Sequence, residues 1–206
     1  MSIIFSDRVR AYVRGQSGDL AGVSDADLPA AKWKSAQDFV ALLKRNYIRP
    51  ERVLDIGSGV GVVDLALIRE FGAKCLLVDG DADGPVARKS NAPHNARQAT
   101  DEFMRDNGAR RLDDYQYFGL IDGGVRLPEK EFDLVISLSS WCFHYPPRWY
   151  LPYVLDHLEN DGALVVDVRK RHGDWMDEMH VHFDEEERYD VHKAWRTVFK
   201  RRQAKR

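Results

Sequence analysis

Three glycines and one acidic residue have the types and spacing needed to hold a nucleoside. Gly57, Gly59 and Gly61 follow a short apolar run and precede an apolar segment typical of a helix. Glycine at such a turn permits positive φ and lets a ligand approach the backbone, and the amides of the following helix favour electron-rich groups. Asp79 ends the next apolar run, where a carboxylate is placed to accept hydrogen bonds from ribose hydroxyls. The combination predicts a nucleotide-type cofactor, and a tight turn without a ligand is the alternative.

The spacing of the glycines separates two classes of cofactor. The fingerprint of dinucleotide-binding proteins is G-x-G-x-x-G/A. In this chain the third glycine comes one position early, at Gly61, and Val62 stands where the fingerprint has Gly or Ala. The spacing therefore favours a nucleoside cofactor without a pyrophosphate, and it makes an oxidoreductase the more distant hypothesis.

A second group of chemically capable residues follows the apolar run 132–138. Ligands in open α/β sheets bind beyond the carboxyl ends of the strands, so this segment is predicted to form the wall of a substrate site. Aromatic rings with hydroxyls and a histidine suit a pocket that has a few polar groups. The predicted substrate contacts here are Ser139, Ser140, Trp141 and Tyr145. The alternative is that the aromatic residues Trp141, Phe143 and Trp149 pack the corner between strand and helix.

His144 is the candidate catalytic base of this segment. Because an unperturbed imidazole has a pKa near ~6.5, it can remove a proton from an acceptor hydroxyl; a hydrogen-bonded structural histidine is the alternative. After the apolar run 162–168 comes a second polar cluster, Asp167, Arg169, Lys170 and His172. Arg169 is predicted to orient an anionic or polyhydroxylated substrate, or else to pair with Asp167 or another carboxylate.

Alternating strands and helices must position these residues. Short apolar runs predict strands over 52–56, 75–78, 115–118, 132–138 and 162–168. Helices are predicted over 29–47, 62–71, 97–107 and 147–158, with a loop over 82–95. This alternation implies a mainly parallel sheet covered on both faces. At the end of the chain, 180–185 and 194–200 are predicted to be extended and to form a hairpin, with a helix over 190–203 as the alternative.

The composition sets limits on the class of protein. The chain has 206 residues, a formal net charge of −2 and 2 cysteines. Its length predicts one domain. No stretch reaches the ~20 apolar residues of a membrane span, and the first residues lack a long apolar signal core. Cys75 and Cys142 stand apart in apolar runs, which predicts buried thiols and a cytoplasmic protein.

The small net charge hides a cancellation near the end of the chain. Residues 174–190 hold 8 acids, whereas 196–206 hold 6 bases and no acid. The basic stretch 196–206 offers contacts to the phosphates of a nucleic acid, and a solvated tail is the alternative.

Four segments in series resemble the motifs of one enzyme family. They read Val-Leu-Asp-Ile-Gly-Ser-Gly-Val-Gly at 53–61, Leu-Val-Asp-Gly-Asp at 77–81, Phe-Asp-Leu-Val-Ile-Ser at 132–137 and Leu-Glu-Asn-Asp-Gly-Ala-Leu at 158–164. In this order the chain resembles, over about 45–168, the S-adenosylmethionine-dependent methyltransferases of class I. The last segment departs from the family's usual Leu-Lys-Pro-Gly-Gly without disturbing the turn. The resemblance implies S-adenosylmethionine as cofactor and an α/β, Rossmann-like, doubly wound sheet of seven strands, mostly parallel with a C-terminal antiparallel hairpin.

The resemblance also assigns residues to parts of the cofactor. The contacts that it implies are Asp55, Gly57, Ser58, Gly59, Gly61, Asp79, Gly80, Asp122, Ser137 and Leu138. Those at 55–61 would face the methionine part, those at 79–80 would hold the ribose, and Asp122 would lie near the adenine amine. The pair at 137–138 would line the passage between cofactor and acceptor. Since the methyl group of the sulfonium is already activated, the main task left to the protein is the alignment of an acceptor lone pair.

The methyl acceptor is indicated by the segment after the fourth strand. That segment is faintly similar to small sugar O-methyltransferases, which predicts an oxygen of a small polar acceptor such as a sugar derivative. It lacks the Pro-Pro-Tyr and Pro-Cys signatures of enzymes that methylate bases, and it offers serines where catechol-type enzymes place a metal ligand, so no metal is predicted. An RNA or DNA methyltransferase using the basic tail and a catalytically silent, cofactor-binding interaction subunit are the alternatives.

The same family implies a division of the chain. Residues 1–48 are predicted to form an N-terminal helical cover, and 49–206 are predicted to form the methyltransferase core. The helix over 29–47, with Trp33 and Tyr47, is expected to lie over the cofactor as a lid.

Overall fold

Helices and strands alternate along the described chain. The computed structural model describes residues 2–16, 20, 22–80, 97–119 and 131–202. The helices are α1 (Asp7–Gln16), α2 (Leu28–Arg45), α3 (Val62–Phe71), α4 (Arg97–Asp106), α5 (Leu151–His157) and α6 (Gly173–His182). The strands are β1 (Arg52–Ile56), β2 (Lys74–Asp79), β3 (Tyr115–Gly119), β4 (Phe132–Ser137), β5 (Ser140–Tyr145), β6 (Leu158–Arg169), β7 (Phe183–Val191) and β8 (Ala194–Arg201).

Seven of these strands form one mixed sheet. Their order is β3-β2-β1-β4-β6-β8-β7. The pairs β2–β3, β1–β4 and β4–β6 are parallel, whereas β8 runs antiparallel to both β6 and β7. The prediction of an α/β, Rossmann-like sheet that is mostly parallel and ends in an antiparallel hairpin is therefore confirmed.

The chain divides into two compact units, and the first comprises 1–49 and 58–127. In this unit β2 pairs with β3 in continuous register from Cys75 opposite Tyr115 onward. Helix α2 packs along α3, since the guanidinium of Arg69 lies 5.2 Å from the centre of the Trp33 ring. Lys44 forms an ion pair with Glu70 further along the same two helices.

Helix α1 is held in the first unit by α4 and by Asn107, which follows α4. Ile4 donates its N–H to the side-chain oxygen of Asn107 at 2.8 Å, and its carbonyl accepts from the Asn107 amide at 2.9 Å. The ring of Phe5 meets that of Phe103 edge-on, with 5.6 Å between the centroids. Val9 and Val13 are buried one helical turn apart. These contacts fix the position of the helix near the end of β2.

The second unit comprises 50–57 and 128–206. Its central strands β4 and β6 are buried along 134–137 and 163–168, as expected for strands covered on both faces. Asp133 anchors the start of β1, because its carboxylate accepts the N–H groups of Glu51 and Arg52 at 2.9 and 3.1 Å. The edge strand β7 carries most of its acidic side chains in water, which protects an edge from pairing with another chain.

The region 173–191 differs from the predicted extended segment 180–185. Helix α6 continues to His182, and β7 begins only at Phe183. Met176 and Met179, three positions apart, are buried and give α6 an apolar side. The alternative of a helix over 190–203 is also wrong, because β8 forms ladders with β6 on one side and β7 on the other.

The segment from β5 to α5 also differs from the predicted elements. Strand β5 was not predicted, and the predicted helix 147–158 is a 3-10 helix, Pro147–Trp149, followed by α5. Proline suits only the first turn of a helix, and Pro152 lies in the first turn of α5. The predicted loop 82–95 lies outside the described residues. No helix among the described residues is long and apolar enough to span a membrane.

Candidate functional site

The glycine turn of the first unit is tied to the end of β2 by Asp79. One oxygen of the Asp79 carboxylate accepts the N–H of Gly59 at 2.7 Å, and the other accepts that of Gly80 at 2.6 Å. The N–H of Ser58 donates to the carbonyl of Val78 at 3.3 Å. These three bonds hold the turn and the carboxylate in one arrangement, as the order of the two motifs along the chain predicted.

The Asp79 carboxyl has an unusual protonation equilibrium. Burial raises the pKa of Asp79 to about 7, although the N–H groups of Gly80 and Gly59 oppose the shift. A carboxylate offers about four acceptor positions, of which these two bonds use two. The remaining positions fit the adjacent hydroxyls of a ribose, provided that the group is ionised.

Gly59 leaves open space beside that carboxylate. Its φ is +58°, and a Cβ added to it would meet no described atom within 4 Å. At Gly61, in contrast, a Cβ would come within 2.9 Å of Leu77 and 3.4 Å of the Met104 sulfur. Glycine at 61 is therefore favoured by its φ of +82° and by this close packing, whereas the space at 59 fits a ligand that approaches the backbone. The residues present thus fit the nucleoside cofactor that the sequence predicted.

Tyr12 of α1 belongs to the same neighbourhood and was missed by the sequence analysis. Burial and then the negative charge of Asp79 raise the pKa of the Tyr12 hydroxyl, with a further contribution from Tyr117. Tyr117 itself donates its hydroxyl to the carbonyl of Gly80 at 3.2 Å. The signal that was available in the sequence is the spacing of the apolar residues Val9 and Val13, four positions apart, which indicates a helix with an apolar side next to Tyr12.

The lid function expected of α2 stays a prediction. Trp33 is buried beneath Arg69 of α3, and Tyr47 is 93% exposed at the end of the helix. The helix is therefore part of the packed layer of the first unit, and the N-terminal residue near Asp79 is Tyr12 of α1. The division into a cover over 1–48 and a core over 49–206 stays a prediction.

In the second unit, Ser137 and Trp141 use their polar atoms internally. The Ser137 hydroxyl donates to the carbonyl of Ile56 at 2.6 Å and accepts the N–H of Trp141 at 2.9 Å. The indole N–H of Trp141 donates to the carbonyl of Pro147 at 3.1 Å, and the whole side chain is buried. The predicted substrate contact at Trp141 is therefore corrected, since the ring has no exposed face for an acceptor. It packs the corner between strand and helix.

Ser140 lies directly against the first glycine of the turn. A Cβ added to Gly57, whose φ is +85°, would be 2.1 Å from the Cβ and the Oγ of Ser140. Glycine is therefore required at 57 both by conformation and by this close approach.

Asp167 fixes the start of the predicted substrate segment, residues 139–149, which is called the acceptor segment below. Its carboxylate accepts the N–H of Ser139 at 3.1 Å, where the backbone has a φ of +60°. The guanidinium of Arg196 donates to both oxygens of Asp167, at 2.8 and 2.9 Å. Asp167 is one of the partners expected for Arg169, but it is bound by Arg196 instead, because Asp167 and Arg196 are opposite one another on β6 and β8.

His144 stands on the exposed part of β5 among other rings. Its ring lies 4.9 Å from that of Phe143 and 6.4 Å from that of Tyr145, centre to centre. Tyr145 in turn stacks on Trp149 at 4.9 Å, and Trp149 is 60% exposed. Partial burial first, then the charges of Arg169 and Arg171, lower the pKa of His144. A neutral imidazole at neutral pH is the form that accepts a proton.

The remaining predicted contacts are placed as follows. Asp55 is buried on β1, Leu138 is half-buried at the end of β4, and Ser139 is exposed. Arg169 is half-buried at the end of β6 and donates to the carbonyl of Phe143 at 3.4 Å. Asp122 lies outside the described residues.

Comparisons with known proteins agree with this geometry. A family model described as Methyltransferase domain matches residues 30–204. Among solved structures the chain is similar to a ribosomal protein L11 methylase from Lactobacillus delbrueckii subsp. bulgaricus, with 17% identity and a TM-score of 0.56 over 78% of this chain and 75% of that chain. None of the curated proteins compared with this chain matches it significantly.

Two further structures share the fold. One is a SAM-dependent methyltransferase from Aquifex aeolicus, with 14% identity and a TM-score of 0.56 over 77% of this chain and 87% of that chain. The other is a mutant of MtNAS in complex with S-adenosylmethionine, with 14% identity and a TM-score of 0.56 over 95% of this chain and 71% of that chain. At these identities the likeness concerns the fold.

Proposed function

Because the chain belongs to the family of S-adenosylmethionine-dependent methyltransferases, we propose that it methylates an oxygen of a small polar acceptor, such as a sugar derivative. The observation that carries this proposal is the placement of His144. It is an exposed imidazole with a lowered pKa, on a strand lined by aromatic rings and serine hydroxyls. An oxygen acceptor needs a group that takes its proton, and a neutral imidazole is suited to that task.

The residues of the first unit bind and orient the cofactor in this proposal. S-Adenosylmethionine, when bound, supplies a methyl group activated by its sulfonium. Asp79 accepts hydrogen bonds from the ribose hydroxyls, and the open side of Gly59 lets the cofactor lie against the backbone. The carboxylate of Asp79 also suits a positively charged cofactor, because opposite charges attract more strongly where water is scarce.

The residues of the second unit bind the acceptor. Ser139 and Ser140 offer hydroxyls at the start of the segment, and Tyr145 with Trp149 offers stacked rings for the face of a sugar. His144 takes the hydroxyl proton on Nε2 or Nδ1 as the oxygen acquires its methyl group. Arg169 orients the acceptor from the end of β6.

Replacing His144 by asparagine is expected to lower kcat about 100-fold or more, the usual worth of a general base. The affinity for S-adenosylhomocysteine should stay unchanged, because the substitution is made in the acceptor segment. The acceptor is found by mass spectrometry of a native metabolite extract incubated with methyl-labelled cofactor, and kcat is then measured with the purified acceptor. An unchanged kcat would remove His144 from the mechanism, and labelling on nitrogen would contradict the proposed oxygen acceptor.

The affinity for S-adenosylhomocysteine is expected to fall as the pH is lowered from 8 to 6. The pKa of Asp79 is about 7, and only the ionised carboxylate has both remaining acceptor positions for the ribose. If only that form binds, affinity falls by about tenfold per pH unit well below the pKa. Calorimetry of Asp79→Asn is the matched control, since its weaker binding should not follow this pH profile. A flat profile for the wild-type protein would contradict the role of Asp79.

Nucleic-acid contact through 196–206 stays a prediction. The described bases of this stretch already have internal contacts: Arg196 with Asp167, Lys200 with the carbonyl of Asp161, Arg201 with the carbonyl of Leu158 and Arg202 with Asp184. Residues 203–206 lie outside the described residues. We also keep the cytoplasm as the proposed compartment, on the two buried free thiols Cys75 and Cys142.

A further inference from the structure

Two arginines at and just after the end of β6, Arg169 and Arg171, differ from four other arginines of their unit. Arg52, Arg188, Arg196 and Arg202 each form an ion pair with a carboxylate. Arg169 instead donates to the carbonyl of Phe143, and Arg171 donates to the ring of His172 at 3.1 Å. Within the described part of the chain, neither guanidinium is in ion-pair contact with an acid. Two positive charges, two positions apart in the sequence, therefore have no ion-paired carboxylate among the described residues.

The positive charges of Arg169 and Arg171 both act on His144, the proposed catalytic base. The guanidinium of Arg169 lies 4.7 Å from the centre of the Phe143 ring, and Phe143 is in edge contact with the ring of His144. The pKa of His144 is lowered by burial and then by Arg169 and Arg171, so both positive charges act on its imidazole. A bound molecule whose hydroxyl reaches His144 would experience the same positive potential.

Arg169 has donor positions that its one carbonyl partner does not use. Arg169 is partly withdrawn from water and rests on an aromatic face. Its planar donor fork matches a carboxylate or a phosphate, and hydrogen bonds between two charged groups are about twice as strong as neutral ones. An anion bound there would also offset the charges that lower the pKa of His144, and the imidazole would become a stronger base once the acceptor is in place.

We infer that the methyl acceptor is an anionic hydroxyl compound, which carries a carboxylate or a phosphate that Arg169 and Arg171 bind while its hydroxyl faces His144. This inference rests on the proposed acceptor segment and deepens it by fixing the charge of the substrate. The aromatic pair Tyr145 and Trp149 then contacts the uncharged ring or chain of the same molecule. The arrangement selects against neutral sugars, for which the two arginines would remain unpaired.

The test uses three sugars of matched size, namely glucose, glucuronate and glucose 6-phosphate. Binding of each to the full chain saturated with S-adenosylhomocysteine is measured by calorimetry at low and at high salt. We expect glucuronate, glucose 6-phosphate or both to bind about tenfold or more tightly than glucose, with a preference that weakens at high salt. Comparison of the two anions distinguishes a carboxylate from a phosphate. Equal binding of all three, or binding of none, would overturn the inference.

The variant Arg169→Gln/Arg171→Gln should abolish the preference for the anionic sugar while leaving the affinity for S-adenosylhomocysteine unchanged. Arg202→Gln removes a guanidinium that is paired with Asp184 on β7, and it is the matched control that should keep the preference. A preference that survives in the double variant would contradict the roles of these arginines. The outcome is separable from the proposed oxygen chemistry, because a chain that binds anions but labels nitrogen would fail only the latter.

Discussion

Replacing Gly59 by alanine is expected to remove most cofactor affinity while leaving the chain folded, whereas replacing Gly57 is expected to destabilise the fold. Both glycines have positive φ, so alanine costs about 1–2 kcal/mol of conformational energy at each. At Gly59 the new methyl group meets no described atom, and it fills the space beside Asp79 that the cofactor needs. At Gly57 the methyl group would collide with Ser140, at 2.1 Å.

The two glycine variants therefore separate binding from stability. For Gly59→Ala we expect urea unfolding within about 1–2 kcal/mol of the wild type and an affinity for S-adenosylhomocysteine reduced by about tenfold or more, since overpacking of ~1–3 kcal/mol would now oppose binding. For Gly57→Ala, overpacking adds to the conformational cost, and we expect a loss of about 2–5 kcal/mol.

Ser140→Gly supplies the matched control for the glycine pair. In the combination Gly57→Ala/Ser140→Gly the colliding Cβ and Oγ are gone, and the nearest remaining Ser140 atom, its Cα, is at 3.6 Å. The second substitution should therefore recover the part of the loss that is due to the collision and leave the cost of positive φ. Full cofactor affinity in Gly59→Ala would contradict the binding site on this turn, and the absence of any recovery would contradict the contact with Ser140.

The glycine turn and Asp79 could be predicted from the sequence because their signals are local. Each parallel strand is a short apolar run, and the turn residues follow it directly, so the order of motifs along the chain also gives their order at one edge of the sheet. The same logic located β4 and the segment that follows it. It did not reveal β5, because the positive φ of Ser139 and Cys142 has no reliable signal in side chains of those types.

The residues that could not be predicted owe their positions to distant parts of the chain. Tyr12 comes close to Asp79 only because α1 is held by Asn107 and Phe103 far along the sequence. Arg196 reaches Asp167 because β8 pairs with β6 in a register that neighbouring residues do not specify. The order of residues along the chain left two partners open for Arg169, an anionic or polyhydroxylated substrate and Asp167, and only the strand register shows that Asp167 is bound by Arg196.

Replacing Arg196 of β8 by methionine is expected to destabilise the protein more than any other single change of charge in the second unit. The Asp167 side chain is 2% exposed and the Arg196 side chain 20%, so removal of the guanidinium leaves a buried carboxylate without its bidentate partner. Breaking a buried ion pair from one side costs about 3–5 kcal/mol. Methionine keeps the volume and the apolar stem of the arginine, so most of the loss reports on charge and hydrogen bonds.

Replacing the other member of the ion pair, in Asp167→Asn, should lower the free energy of unfolding by less than Arg196→Met does. The Arg196 guanidinium is partly exposed and can turn toward water, whereas the buried Asp167 carboxylate cannot. In Asp167→Asn/Arg196→Met neither charge is present, so the combined loss should be smaller than the sum of the two single losses, by about 0.5–3 kcal/mol. Urea unfolding of the four proteins measures this coupling, and strictly additive losses would contradict a direct pairing.

The same cycle connects the ion pair with acceptor binding. Asp167 holds the N–H of Ser139 at the left-handed start of the acceptor segment, so loss of its ion pair should loosen that turn. We expect Arg196→Met to raise KM for the acceptor while the affinity for S-adenosylhomocysteine stays near that of the wild type, because the Asp79 and Gly59 contacts lie on other elements. A merely structural role would lower the folded fraction without changing KM, and steady-state kinetics at a temperature where both proteins remain folded distinguishes the two.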